Sequence, residues 1–285
     1  MTRSVWPAPG KINLFLHIIG RRSDGYHELQ TVFQFLDYAD RIRLEARDDG
    51  EIRRLQGPPG VTPEDDLSVR AARALQSLTG VSRGVDIGID KLLPLGGGLG
   101  GGSSDAATVL VALNRLWRLD LDVAQLAALG LSLGADVPVF VHGVAAWAEG
   151  VGERLTPIEP AERWALVIHP GCAVSTREVF THPDLTRDTP PIRMHAFSSL
   201  AYRNDCEVVV RRLYPEVGRA ISWLEQFGEA RLTGTGACVY LLLETWQDAS
   251  RISAQVPPCW HWFIARTLNR SPLYDGAAGA LAEQA

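Results

Sequence analysis

Six glycines fall within the eleven residues Pro94, Leu95, Gly96, Gly97, Gly98, Leu99, Gly100, Gly101, Gly102, Ser103 and Ser104. Ordering that much glycine costs backbone entropy, so a loop that binds nothing is a poor explanation for it. Val85, Ile87 and Ile89 precede the run and alternate with Asp86, Gly88 and Asp90, as a strand does. Residues 106–117 follow it with helical character, with Ser103, Ser104 and Asp105 as the expected caps. A glycine bend between a strand and a helix start lets backbone N–H groups come close to an anion, and the helix end adds unpaired donors. A polyphosphate is the ligand class that suits such a cradle, with the serine hydroxyls near phosphate or its Mg2+.

Two other glycine loops compete with this reading. The Walker-type nucleotide loop is excluded, because no Gly-Lys-Ser or Gly-Lys-Thr closes the run. A dinucleotide fingerprint is matched in letters by Gly96, Gly98 and Gly101, with Asp120 near the place of a ribose-binding acid. Its context does not match. A central parallel strand is apolar nearly throughout, whereas the strand here carries Asp86 and Asp90, and several strands come before it without βαβ repetition.

Those earlier strands are read from alternation over residues 12–18, 31–36 and 41–46, with Asp48-Asp49-Gly50 as a hairpin turn into residues 51–55. Helices are expected over 67–78, 122–133, 205–213 and 215–227, and strands over 164–169, 239–243 and 260–265. Residues 182–193, with Pro183, Pro190 and Pro191, read as a long loop. Closely spaced strands beside helices predict an α+β fold with mixed or antiparallel sheets. The proline-rich stretch Thr156-Pro157-Ile158-Glu159-Pro160 divides it into residues 1–157, an ATP-binding and catalytic domain, and residues 158–285, a substrate domain.

A net charge of −5 disfavours nucleic acid or a membrane surface as the main partner. No apolar run reaches the ~20 residues of a membrane span, and the first residues lack a signal core, so a cytoplasmic protein is expected. Four scattered cysteines and seven histidines show no metal-ligand spacing, so no metal is expected to be held by protein alone. Positive charge for a phosphate must then be local. Of 28 basic residues only Lys11 and Lys91 are lysine, the compact point charge that suits phosphate.

Three segments join the glycine run: Pro9-Gly10-Lys11-Ile12-Asn13-Leu14, Gly134-Ala135-Asp136-Val137-Pro138 and Leu232-Thr233-Gly234-Thr235-Gly236-Ala237-Cys238. In this order and spacing the set resembles the GHMP kinase superfamily. Four more segments, Asp24-Gly25-Tyr26-His27, residues 33–38, residues 148–153 and Asn204-Asp205-Cys206-Glu207, are similar to the branch acting on a cytidine-diphosphate methylerythritol in the non-mevalonate isoprenoid pathway. The resemblance runs over nearly the whole chain.

It implies a two-domain kinase with its site in the interdomain cleft, ATP and Mg2+ as cofactors, and a small-molecule partner. The assembly expected is a monomer or weak homodimer. Residues 94–104 would hold the ATP phosphates with Lys91 near the nucleotide, Lys11 and Asp136 would be catalytic, and Asn13, Tyr26, His27 and Phe180 would contact substrate. Phosphoryl transfer needs an oriented nucleophile and neutralised phosphate charge, which a carboxylate and a lysine can supply. Taken singly, Asp136 is more often a turn former, Lys11 a surface lysine and Phe180 core; only the ordered set overrides those readings. Two departures stand out: Gly10 where relatives usually carry alanine, and Asp66 where some carry asparagine near the adenine.

Overall fold

The computed structural model describes residues 3–199 and 203–274. Its chain opens with two long strands, β1 (Arg3–Arg21) and β2 (His27–Arg47), paired antiparallel around a turn at residues 22–26. The sequence separates 31–36 from 41–46, but Ala39 and Asp40 keep their pairing with Pro9 and Ala8, so β2 runs on unbroken. Register shifts fall between Pro9 and Lys11 and between Asn13 and Leu16. Such irregularities bend a strand and re-aim its side chains. One strand thereby serves three cores: Trp6 and Ala8 enter the first, Ile12, Leu14 and Phe15 a middle one, and Leu16 and Ile18 the second.

The expected hairpin into residues 51–55 does not form. β3 (Ile52–Gln56) leads through α1 (Leu67–Thr79) to β4 (Gly84–Asp90), and β4 takes the place beside β2 while β3 pairs parallel on its far side. Burial explains the order: Val85, Ile87 and Ile89 are sealed in the core, whereas Arg53, Arg54 and Leu55 suit an edge. α1 is capped by Asp66, which accepts from the Ser68 N–H at 2.9 Å and pairs with Arg54 at 2.8 Å. The departure from asparagine is thus tied to a cap and a cation.

α2 (Gly101–Trp117) begins inside the glycine run, five residues before the expected 106. Its N-cap is Gly100, with no side-chain cap, so Ser103, Ser104 and Asp105 are in the helix instead of capping it. The helix is buried continuously from Ser104 to Leu113, the mark of a central helix. Packed on all sides, it fixes the direction of its first turn. α3 (Val123–Leu131) follows with a capping box from Asp122 and Gln125. A short α4 (Val137–His142), absent from the sequence reading, starts directly after Asp136. β5 (Ala146–Gly150) and β6 (Arg154–Pro157) then complete the antiparallel set beside β2.

The second half builds on β7 (Trp164–His169), with α5 (Thr176–Thr181), the irregular stretch predicted over 182–193, α6 (Glu207–Leu213), α7 (Pro215–Leu224), β8 (Ala230–Leu232), β9 (Val239–Leu243), α8 (Trp246–Ser253) and β10 (His261–Leu268). β10 pairs with β7 and then reaches β2 through Thr267–Leu36 and Leu268–Phe35, so one continuous sheet joins both halves. Leu273 and Tyr274 return to the first core. The α+β class with mixed sheets and flanking helices is as the sequence predicts. β5, β6, β8, α5 and α8 are too short for periodicity to reveal them.

Candidate active site

The glycine run docks onto two neighbours through its carbonyls. Gly96 and Gly97 accept from the N–H groups of Ala237 and Cys238, each at 3.0 Å; Leu99 accepts from the Lys11 N–H at 2.9 Å; the Thr233 hydroxyl donates to Gly98 at 3.2 Å. Among the described residues no backbone N–H of residues 95–103 donates a hydrogen bond, Ser104 being the first, to the Gly100 carbonyl at 2.8 Å. Gly96, Gly98 and Gly100 have φ of 64°, 74° and 71°, giving the alternation that turns successive N–H groups to one side. The acceptors of this loop are consumed and its donors are left over. Donors left over in this way suit an anion, and the first turn of α2 continues them with its positive dipole end.

The cradle lines a cavity of about 440 Å³ that also takes in Lys11, Asn13, Leu16, Leu29, Thr31, Phe33, Lys91, Ala135, Asp136, Val151, Thr176, Phe180, Gly234 and Thr235. Lys11, buried on β1 by the register shift, points its ammonium to Asn13 Oδ1 at 2.7 Å and Asp136 Oδ2 at 3.3 Å, with the Phe33 ring 5.1 Å away. Asn13 is held from three sides: its amide donates to the Thr31 hydroxyl at 2.9 Å, its side-chain oxygen accepts from the Gly234 N–H at 3.0 Å, and its backbone carbonyl accepts from the Tyr240 hydroxyl at 2.8 Å. The Asp136 side chain is 32% exposed and unused as a cap, so it faces the cavity as Lys11's counter-ion. A carboxylate that can take a proton and an ammonium that can donate one thus meet beside the cradle.

The predicted site residues are not all brought together. Lys11, Asn13, Lys91, Phe180, Asp136 and residues 94–103 share the cavity. Ser104 is fully buried within α2, outside the cavity lining, and its hydroxyl has no partner. Tyr26 lies at the hairpin tip, 64% exposed. His27 is nearly buried behind Phe180, rings stacked at 5.1 Å. Gly10 adjoins Leu93, whose flexible side chain alone crowds the position an alanine methyl would take.

Lys91 borders the cavity, but its ammonium is held by Asp40 and by Asp105 at 2.8 Å. Asp40 also accepts from the N–H groups of Leu92 and Leu93 at 2.6 and 2.8 Å, tying the entry of the glycine run to β2. One cation faces two buried carboxyls. Burial pushes the Asp105 carboxyl up, against the pull of Lys91 and with a further push from Asp40. Burial opposes the Lys91 charge, yet Asp105 and Asp40 raise it on balance. A carboxyl raised in the folded state stabilises most at low pH, and that contribution is lost as pH rises through its folded value. Asp105→Asn, which imitates the protonated acid, is therefore expected to flatten the loss of urea-denaturation stability toward alkaline pH. Asp40→Ala should cost ~2–4 kcal/mol in the same assay, since two N–H groups lose their acceptor while Lys91 keeps Asp105. In the sequence Asp40 falls between two expected strands, and nothing there points to its partners.

Comparison with known proteins gives the chain's family. The family model described as "GHMP kinases N terminal domain" matches residues 66–144, and "GHMP kinases C terminal" matches residues 189–260. A 4-diphosphocytidyl-2-C-methyl-D-erythritol kinase of Halorhodospira halophila is 57% identical over 274 residues, 95% of each chain. This chain belongs to the GHMP kinases. The enzyme of the same name from Alkalilimnicola ehrlichii is 58% identical to this GHMP kinase, over 96% of this chain and 94% of that one. A crystal structure of 4-(cytidine 5'-diphospho)-2C-methyl-D-erythritol kinase superposes with a TM-score of 0.80 at 35% identity, covering 92% of this chain and 98% of that chain. A mevalonate kinase at 15% identity, TM-score 0.68, shares the fold, with 95% of this chain and all of that chain covered.

Proposed function

We propose that this GHMP kinase transfers the γ-phosphoryl group of ATP to the 2-hydroxyl of the methylerythritol unit of 4-diphosphocytidyl-2-C-methyl-D-erythritol, a step toward isoprenoid precursors. The observation that carries the reading is the pairing of unfilled amide donors at residues 95–103 with the Lys11–Asp136 ion pair in one cavity. The substrate's identity is supported by the relatives' names at 57% and 58% identity over nearly full length.

In this mechanism the cradle and the first turn of α2 grip the β- and γ-phosphates, and Asp136 accepts the proton of the attacking hydroxyl. The new O–P bond forms as the bridging β–γ bond breaks, and ADP leaves with the electron pair. Lys11, kept in place by Asn13, neutralises the charge that develops around the transferring group. Phe180 and Tyr26 offer aromatic faces to the cytosine, and His27 its polar edge.

Among the described residues no group of three or more His, Cys, Asp or Glu side chains could hold a metal ion. The cavity offers one carboxylate, Asp136, and Ser103 is the hydroxyl beside the cradle. That donor set fits a Mg2+ brought in on the polyphosphate with its own waters, where it would offset phosphate charge. No helix among the described residues is long and apolar enough to cross a membrane.

An acceptor panel tests the assignment. ATP consumption is expected with the cytidine-diphosphate sugar alcohol at a kcat/KM at least ~100-fold above mevalonate, homoserine or galactose. Chelation of Mg2+ should stop turnover without shifting the thermal midpoint. Comparable rates with mevalonate or homoserine would overturn the substrate assignment.

A further inference from the structure

The structure assigns Arg187, from the irregular stretch 182–193, as a positioning residue that fixes which ring nitrogen of His27 carries the proton and so makes the site read cytosine rather than uracil. The inference rests on the proposed reading of His27 as the base contact. Arg187 Nε donates to His27 Nε2 at 3.1 Å. A guanidinium has donors only, so Nε2 must be the acceptor. His27 is then a neutral imidazole whose remaining nitrogen, Nδ1, bears the hydrogen.

The same guanidinium ties down the segment that carries Phe180. It donates to the carbonyls of Phe180 and Leu185 at 3.0 Å and of His182 at 2.7 Å. Phe180 lines the cavity and stacks on His27 at 5.1 Å. One side chain therefore holds both the ring that lines the cavity and the imidazole stacked on it. Burial disfavours charge on His27, and Arg187, with Arg21 across the hairpin, acts in the same direction. Among the described residues no hydrogen bond occupies His27 Nδ1, and it is not one of the sealed, unpartnered atoms.

The consequence for recognition follows from the bases. Cytosine presents an acceptor at N3, whereas uracil presents N3–H. A neutral histidine with a fixed Nδ1–H donor satisfies the first and meets the second donor to donor. A buried donor left facing a donor forfeits its hydrogen bond and its hydration together.

Two measurements test this on the full-length protein. Long-range proton–nitrogen spectra of 15N-labelled enzyme at neutral pH should show His27 with a bare Nε2 and a protonated Nδ1. In Arg187→Leu the imidazolium should form at a higher pH than in the unaltered protein. Kinetically, the preference for the cytidine- over the uridine-diphosphate form of the sugar alcohol should fall about tenfold or more in Arg187→Leu, chiefly through KM. Arg187→Lys, which restores a cationic donor, should recover part of it. Equal preference in the leucine and lysine variants, or a proton on Nε2 in the unaltered enzyme, overturns the assignment while leaving the kinase reading standing. An unchanged KM in His27→Ala would remove the base contact itself. Absence of turnover with the cytidine compound would remove the functional reading, and the spectra would then decide the tautomer alone.

Discussion

Replacing Asp136 with alanine is expected to lower kcat by ~10²–10⁴-fold, the usual share of a positioned general base. The protein should stay folded, because the Asp136 side chain is about a third exposed and caps nothing. Lys11 keeps Asn13 as a partner at 2.7 Å, so its buried ammonium is not stranded by the change. Asp136→Asn is the sharper variant. It preserves shape and an acceptor oxygen but cannot take up the proton, so it should lose nearly as much as alanine if proton transfer is the role. Steady-state kinetics with a thermal melt of each variant decides the point; turnover near that of the unaltered enzyme would take Asp136 out of the chemistry.

Gly98→Ala should be worse for the molecule as a whole. A methyl group there would sit 2.1 Å from the Thr233 carbonyl oxygen and 3.1 Å from that of Gly236. The backbone at φ 74° adds its own penalty of ~1–3 kcal/mol for a residue with a side chain. Neither clash can be relieved by rotating a side chain, because both contacts are backbone. The loop must lift off the 233–236 turn, taking with it the bonds from Ala237 and Cys238 that orient the cradle. Calorimetry with a non-hydrolysable ATP analogue should show binding lost, and denaturation should show a stability drop of ~4 kcal/mol or more. Gly102→Ala is the control, since its nearest neighbour is Leu67 Cδ1 at 3.8 Å and its φ is unremarkable. Loss of stability in both variants alike would mean that the run is merely intolerant of side chains.

The candidate site was legible in the sequence as an ordered set of motifs, not as single residues. A dense glycine run, two lysines among arginines and an aspartate between small residues, in the order seen in the GHMP kinases, point to Lys11, Asp136 and residues 94–104, of which the structure buries Ser104 away from the cavity. Periodicity gave the larger helices but only part of the long strands, residues 12–18 of β1 and two separate stretches of β2. What was not legible depends on distance along the chain. β4 displaces β3 from the side of β2 because of how much apolar surface each can bury, which no turn motif encodes. Ser103, Ser104 and Asp105 are good capping residues and point to a later start for α2, whereas the helix begins on an uncapped glycine whose neighbouring donors stay unpaired. Asp40, Asp105 and Arg187 act through partners 51, 14 and 160 residues away, and their side chains look ordinary where they stand.

The return of Leu273 and Tyr274 to the first core has a bearing on how the molecule is born. A ribosome delivers these side chains after every element of the second half, yet they seal an interior begun by Trp6 and Ala8. The Tyr274 hydroxyl bonds the Val141 carbonyl at the back of α4, and the helix end at Gly143 packs against its ring. A nascent chain stopped short of that tyrosine holds the phosphate loop and Asp136 but not the wall behind α4. Closure of the wall behind α4, next to Asp136, therefore waits until every strand of the second half has been made.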